Sequence, residues 1–170
     1  KCIAHNEYLD AYRTATDDYR QAKQDNISNK RQTASDHFQK ISGGFDNKLS
    51  SIEHTANIAQ ANLDFAEATG HYATQKYYKD LLKSNQETMN TEQDKMNQLI
   101  KKRDEFVKNG QIKKGDDAWQ QMSEDIWQCA ENIQSCKLNA VEYNNALRDL
   151  AWDAFDRQEE YLGRIADEAN

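Results

Sequence analysis

Four histidines (His5, His37, His54 and His71) and three cysteines are the residues best suited to hold a metal or to act as nucleophiles. Metal chemistry requires such residues at set intervals. His-Glu-x-x-His places two imidazoles on one helix face, and Cys-x-x-Cys brings two thiolates to one ion. Neither interval occurs in this chain, so the histidines read as surface or seam residues. Cys129 and Cys136 stand seven positions apart. On one helix that is about 10 Å of rise, beyond the roughly 7 Å Cα separation a disulfide spans. They read as thiols in a reducing compartment, filling a helical seam as small hydrophobes.

Acidic residues are plentiful, with 29 aspartates and glutamates. A carboxylate-bridged metal pair in a helical bundle needs Glu-x-x-His on two helices, and no Glu-x-x-His is present. A glycine-rich phosphate loop and a Gly-x-Ser-x-Gly nucleophile elbow are also missing. Lys101-Lys102-Arg103 and Lys113-Lys114 are short and diluted by acids, which reads as solvated helix face and loop rather than a nucleic-acid patch. The aromatic cluster Trp152, Phe155 and Tyr161 reads as core. The expectation is a chain that is not an enzyme, with no catalytic residue, metal site, cofactor or small-molecule substrate.

Composition indicates what positions these residues. Only 37% of the 170 residues are apolar and 30% are charged, too few apolar side chains for a compact sphere but enough for helices that bury one seam. There is no proline, and only six glycines, so long helices run without breakers. Aromatics spread at regular spacing argue against disorder. A net charge of −7 argues against specific nucleic-acid or anionic-membrane binding. Apolar runs stop at three residues, as in Leu150-Ala151-Trp152, which predicts no membrane span and no signal-peptide core.

The strongest periodicity lies near the C-terminal end. Trp119, Met122, Ile126, Cys129, Ile133, Cys136, Ala140, Tyr143, Leu147, Leu150 and Ala154 follow alternating steps of three and four over five heptads, the pattern of a coiled-coil seam. Trp152, Phe155, Leu162 and Ile165 widen it, while Arg157 and Arg164 occupy seam positions. This predicts a helix over about 117–168, about 75 Å long. A second helix over about 75–108 carries Tyr78, Leu82, Asn85, Met89, Glu92, Met96, Leu99, Arg103 and Phe106 at the same steps. Its polar members Asn85, Glu92 and Arg103 cost stability and can fix register. A third, over about 4–68, runs from Tyr8, Tyr12 and Tyr19 through Phe38, Phe45, Ile52 and Leu63, kinked or weakened at Gly43-Gly44. Its first thirty residues are polar enough to fray unless a partner covers them. Thr69-Gly70-His71 ends it, Thr74 caps the next helix, and Gly110 and Asp116 punctuate the loop that follows. The fold class is all-α: about three long helices in an elongated antiparallel bundle or coiled coil, one module over 1–170, with a helical hairpin near 109–116. The interface expected on the C-terminal helix comprises Trp119, Met122, Ile126, Ile133, Tyr143, Leu147, Leu150, Trp152 and Phe155.

Several stretches carry a family likeness. They are His37-Phe38-Gln39-Lys40-Ile41, Ser51-Ile52-Glu53-His54, Ala66-Glu67-Ala68-Thr69-Gly70 leading to Lys76-Tyr77-Tyr78, the loop from Gly110 to Trp119, and the run from Glu142 to Asp156. Together, in order and loop length, they resemble the helical internal region of bacteriophage tail tape measure proteins, over about residue 34 to the C-terminus. The resemblance implies a fragment of a longer phage or prophage protein that threads the tail tube during assembly, sets its length, and leaves ahead of DNA at infection. It implies homo-oligomerisation or contact with other phage tail proteins, and residence in the virion tail or, during assembly, the host cytoplasm. Any peptidoglycan-cleaving domain would lie elsewhere in such a parent. The alternative reading is a cellular, spectrin-like helical interaction module that docks a partner helix along its groove.

Overall fold

The computed structural model describes residues 2–70 and 74–169, with side chains from residue 4 onward. His71, expected in the first breaker, lies outside the described residues. Three helices account for nearly all of the rest: α1 (Cys2–Ala68), α2 (Gln75–Lys108) and α3 (Asp117–Glu168). The all-α fold expected from periodicity is what is observed, with the helices packed on one another, and there is no strand among the described residues.

The described residues at the two helix junctions include those expected there. At the end of α2, Gly110 adopts φ +69°. The Gly110 amide donates to the Val107 carbonyl at 3.1 Å, and the Gln111 amide donates to the Phe106 carbonyl at 2.9 Å. This pair of bonds satisfies the last carbonyls of a helix and requires a left-handed residue where Gly110 stands. Asp116 then starts α3: its carboxylate accepts the Trp119 amide at 2.9 Å and the Lys113 amide at 3.0 Å. Thr74 performs the first step for α2, its carbonyl accepting the Tyr77 amide at 3.0 Å.

The chain divides into two compact units, each using a piece of every helix: Lys1–Ser42 with Gln98–Asp125, and Gly43–Asn97 with Ile126–Asn170. In the first, Ala34, Phe38, Leu99, Phe106, Ile112 and Met122 are buried. The His37 ring lies 5.8 Å from that of Phe106, Arg31 pairs with Asp116 at 3.2 Å, and Gln39 donates to Asp125 at 3.0 Å. In the second, Ala59, Leu63 and Leu81 form a cluster flanked by Ala56, Tyr77, Tyr78 and Tyr143. Here α1 and α2 run antiparallel, since Asp46 meets Lys95 while Leu63 meets Leu81.

The first thirty residues, expected to fray unless a partner covers them, are helical from Cys2 in this structure, although almost every described side chain up to Lys30 is exposed. No proline or glycine interrupts this stretch, and side chains one turn apart brace it, as in Arg13–Asp10, Arg20–Asp17 and Gln21–Asp25. Trp152, Phe155 and Tyr161 are not core. They are 61%, 56% and 58% exposed, because α1 and α2 cover α3 only as far as Leu150. At Gly43-Gly44 the backbone stays helical.

Candidate functional site

The seam expected on α3 is consumed within the chain. Met122, Ile126 and Ile133 are buried, Trp119, Tyr143, Leu147 and Leu150 are half-buried, and burial ends at Ala151. The first seven of the nine expected interface residues are thus covered, wholly or partly, by the chain's own helices. Trp152 and Phe155 face solvent, with their rings edge to face at 6.3 Å.

The exposed residues expected to widen the seam, Trp152, Phe155 and Leu162, continue toward the N-terminus of α3 as an outer stripe whose other members the sequence pattern does not single out. Trp127, Leu138 and Val141 are 63%, 67% and 57% exposed. They precede Trp152, Phe155 and Leu162 at steps of eleven, three, eleven, three and seven, all of which return to one helix face. That face lies roughly opposite the buried seam. Exposed tryptophan was the available signal, but it was masked by the stronger periodicity beside it.

The seam between α2 and α3 is polar at its expected points, and each polar residue has an assigned partner. The Asn85 amide donates to the Cys136 carbonyl at 2.7 Å. Asn132 donates to Glu92 Oε1 at 2.7 Å. Since residue numbers rise on α2 as they fall on α3, this packing is antiparallel. In the other unit, Arg103 donates to Ser123 Oγ at 3.0 Å and stacks 4.9 Å above the Trp119 ring. Arg103 is therefore a seam residue rather than part of a solvated basic face, and Lys102 beside it is half-buried and paired with Glu105 at 2.9 Å.

Electrostatics concentrate around Glu92. It is 4% exposed, and its Oε2 is buried without a hydrogen bond. The Cys129 thiol sits against the same carboxylate; burial first, then the negative charge of Glu92, pushes it up to about 12. Burial followed by Glu92 also raises Cys136. Burial alone would lower Lys95, but its 2.6 Å bond to Asp46 and the charges of Asp46, Cys129 and Glu92 carry it above the usual lysine range. Thiols held this strongly in the protonated form are poor nucleophiles. Among the described residues no group of three or more His, Cys, Asp or Glu could hold a metal ion, and no helix is long and apolar enough to cross a membrane. No protein family, curated protein or solved structure matches this chain.

Proposed function

We propose that the chain is a structural segment of a phage or prophage tail, part of the rod that sets tail length, and that it works through helical self-association. The observation that supports this reading is the outer stripe of α3. Trp127, Leu138, Val141, Trp152, Phe155 and Leu162 are exposed along one face of α3, and such a patch marks an interaction surface. Three long helices free of proline also suit a ruler, because helical rise converts chain length into distance at about 1.5 Å per residue.

The test is to delete the 67 residues of α1 from the parent protein and measure assembled tails. A ruler segment shortens the tail by about 100 Å; unchanged length overturns the reading. On the isolated chain, small-angle scattering with light-scattering mass should give a multimer that the double variant Trp152→Glu, Leu138→Glu converts to monomer. The second reading is a cellular helical module that docks a partner helix. It draws on the reverse turns at Gly70 and Gly110 and on the mutual burial of the helices. A modest parent chain with no tail genes beside it would favour that module.

A further inference from the structure

Within the unit built from Gly43–Asn97 and Ile126–Asn170, the three helices leave a groove of about 360 Å³, at the lower end of small-molecule sites. Leu49, Ala56, Leu81 and Tyr143 supply apolar lining. Two carboxylates, Glu53 and Glu92, belong to the lining, and no lysine, arginine or histidine does. Glu92 is the telling member. A carboxylate offers about four acceptor positions; the Asn132 amide fills one on Oε1 and the Cys129 thiol, a weak donor, lies against the group, while the buried Oε2 takes no hydrogen bond. A buried acceptor left this way destabilises the fold, more so when charged. Lys95, one turn along α2, donates to Asp46 and makes no hydrogen bond to this oxygen.

We propose that this groove binds a small organic cation, an alkylguanidinium or alkylammonium, whose N–H donors complete the Glu92 carboxylate while its hydrocarbon body lies against Leu81 and Tyr143. A planar guanidinium suits a carboxylate with one oxygen unoccupied, since its fork delivers donors in the plane of the acceptor. The terminal torsion of a glutamate is soft, so Oε2 can turn toward an entering donor. A hard metal ion is the poorer fit. It needs about six oxygen ligands, and no three-membered cluster of metal-ligating side chains is present among the described residues.

The test is a heteronuclear NMR titration of the full chain with n-butylguanidinium and with n-butylurea, its neutral counterpart of similar shape. Saturable shifts of the Asn85 and Asn132 side-chain amides are expected with n-butylguanidinium, with affinity at least tenfold weaker for n-butylurea and for Glu92→Gln. Equal affinity for the two probes, unchanged binding by Glu92→Gln, or no saturable shift overturns the proposal, and in the last case water is the occupant. Should Glu92→Gln fail to fold, Ala56→Leu fills the groove from α1 without touching the carboxylate. Loss of the saturable shifts in that variant supports the site, and their retention sinks it.

Discussion

The side-chain amide of Asn85 donates to the main-chain carbonyl of Cys136 at 2.7 Å, tying the middle of α2 to the middle of α3. A polar residue in a helix seam favours one register, because a slip of the helices takes its part-buried donor away from its partner. Asn85→Ala should lower stability by about 1 kcal/mol, read as a shift in the urea midpoint. Asn85→Leu should hold or raise the midpoint while broadening the NMR spectrum, as alternative registers become accessible. Sharp, single-species spectra for Asn85→Leu would show that register is set elsewhere.

Asp116 serves two backbone amides and one guanidinium: Trp119 and Lys113 on the loop and helix, and Arg31 on α1. Asp116→Ala should destabilise by about 1–2 kcal/mol, the usual loss for an N-cap. Asp116→Asn retains most of the cap and should cost less. Arg31 is 41% exposed on its side chain, so Arg31→Ala should have a small effect that shrinks further at high salt. Thermal melts of the three variants at low and high salt check the ordering.

Glycine to alanine should act with opposite signs at two positions. A Cβ at Gly43 or Gly44 meets nothing within 4 Å, and neither residue has positive φ. Gly43→Ala should therefore stabilise by about 0.4–1 kcal/mol through the unfolded chain. Gly110 holds φ +69°, and Gly110→Ala should destabilise by about 1 kcal/mol. Equal effects in denaturant titrations would remove the distinction.

Alkaline pH should unfold the protein through its thiols. The ordinary value for a cysteine is 9.0, and burial with Glu92 moves Cys129 up to about 12. Above about pH 9 the unfolded chain releases this proton while the folded chain keeps it, so the unfolded state is favoured as pH rises. The contribution is complete below pH 9.0 and is lost on approach to about 12. Cys136, Lys95, Tyr78 and Tyr143 are also raised and act in the same direction. Urea midpoints of the unmodified protein should fall from about pH 8 to about pH 10.5, and Cys129→Ala should flatten that fall. A thiol reagent should react slowly with Cys129 until the chain is unfolded.

What could be read before folding follows from how each residue reports burial. The seam from Met122 to Cys136 was legible because large apolar side chains recur at three and four, and it is buried as expected. Asn85, Glu92 and Arg103 were legible as polar seam members, but not their partners, since pairing with Cys136, Asn132 and Ser123 depends on the register of a second helix. Ser84, Thr91 and Ser123 are buried too and escaped notice. A small hydroxyl can hide in a helix by returning its hydrogen bond to the carbonyl four residues back, as Ser123 does to Trp119 at 2.7 Å, so its polarity conceals its position. Trp127, Leu138 and Val141 are apolar by type and exposed by placement, and their spacing does not fall in the three-and-four seam. The polar N-terminal stretch was expected to fray because its missing hydrophobic face counted for more than its freedom from helix breakers.

The Arg103 guanidinium 4.9 Å above the Trp119 ring gives the chain a built-in optical probe. Of the three tryptophans, Trp127 and Trp152 face solvent in the single chain, so at concentrations too low for self-association their emission changes little when the helices separate. Trp119 alone is half-buried and carries a positive charge against its indole. The spectroscopic change on unfolding should therefore come from one residue at the start of α3, and a protein retaining only that tryptophan would report on the loop and helix junction around Asp116 without background from the outer stripe.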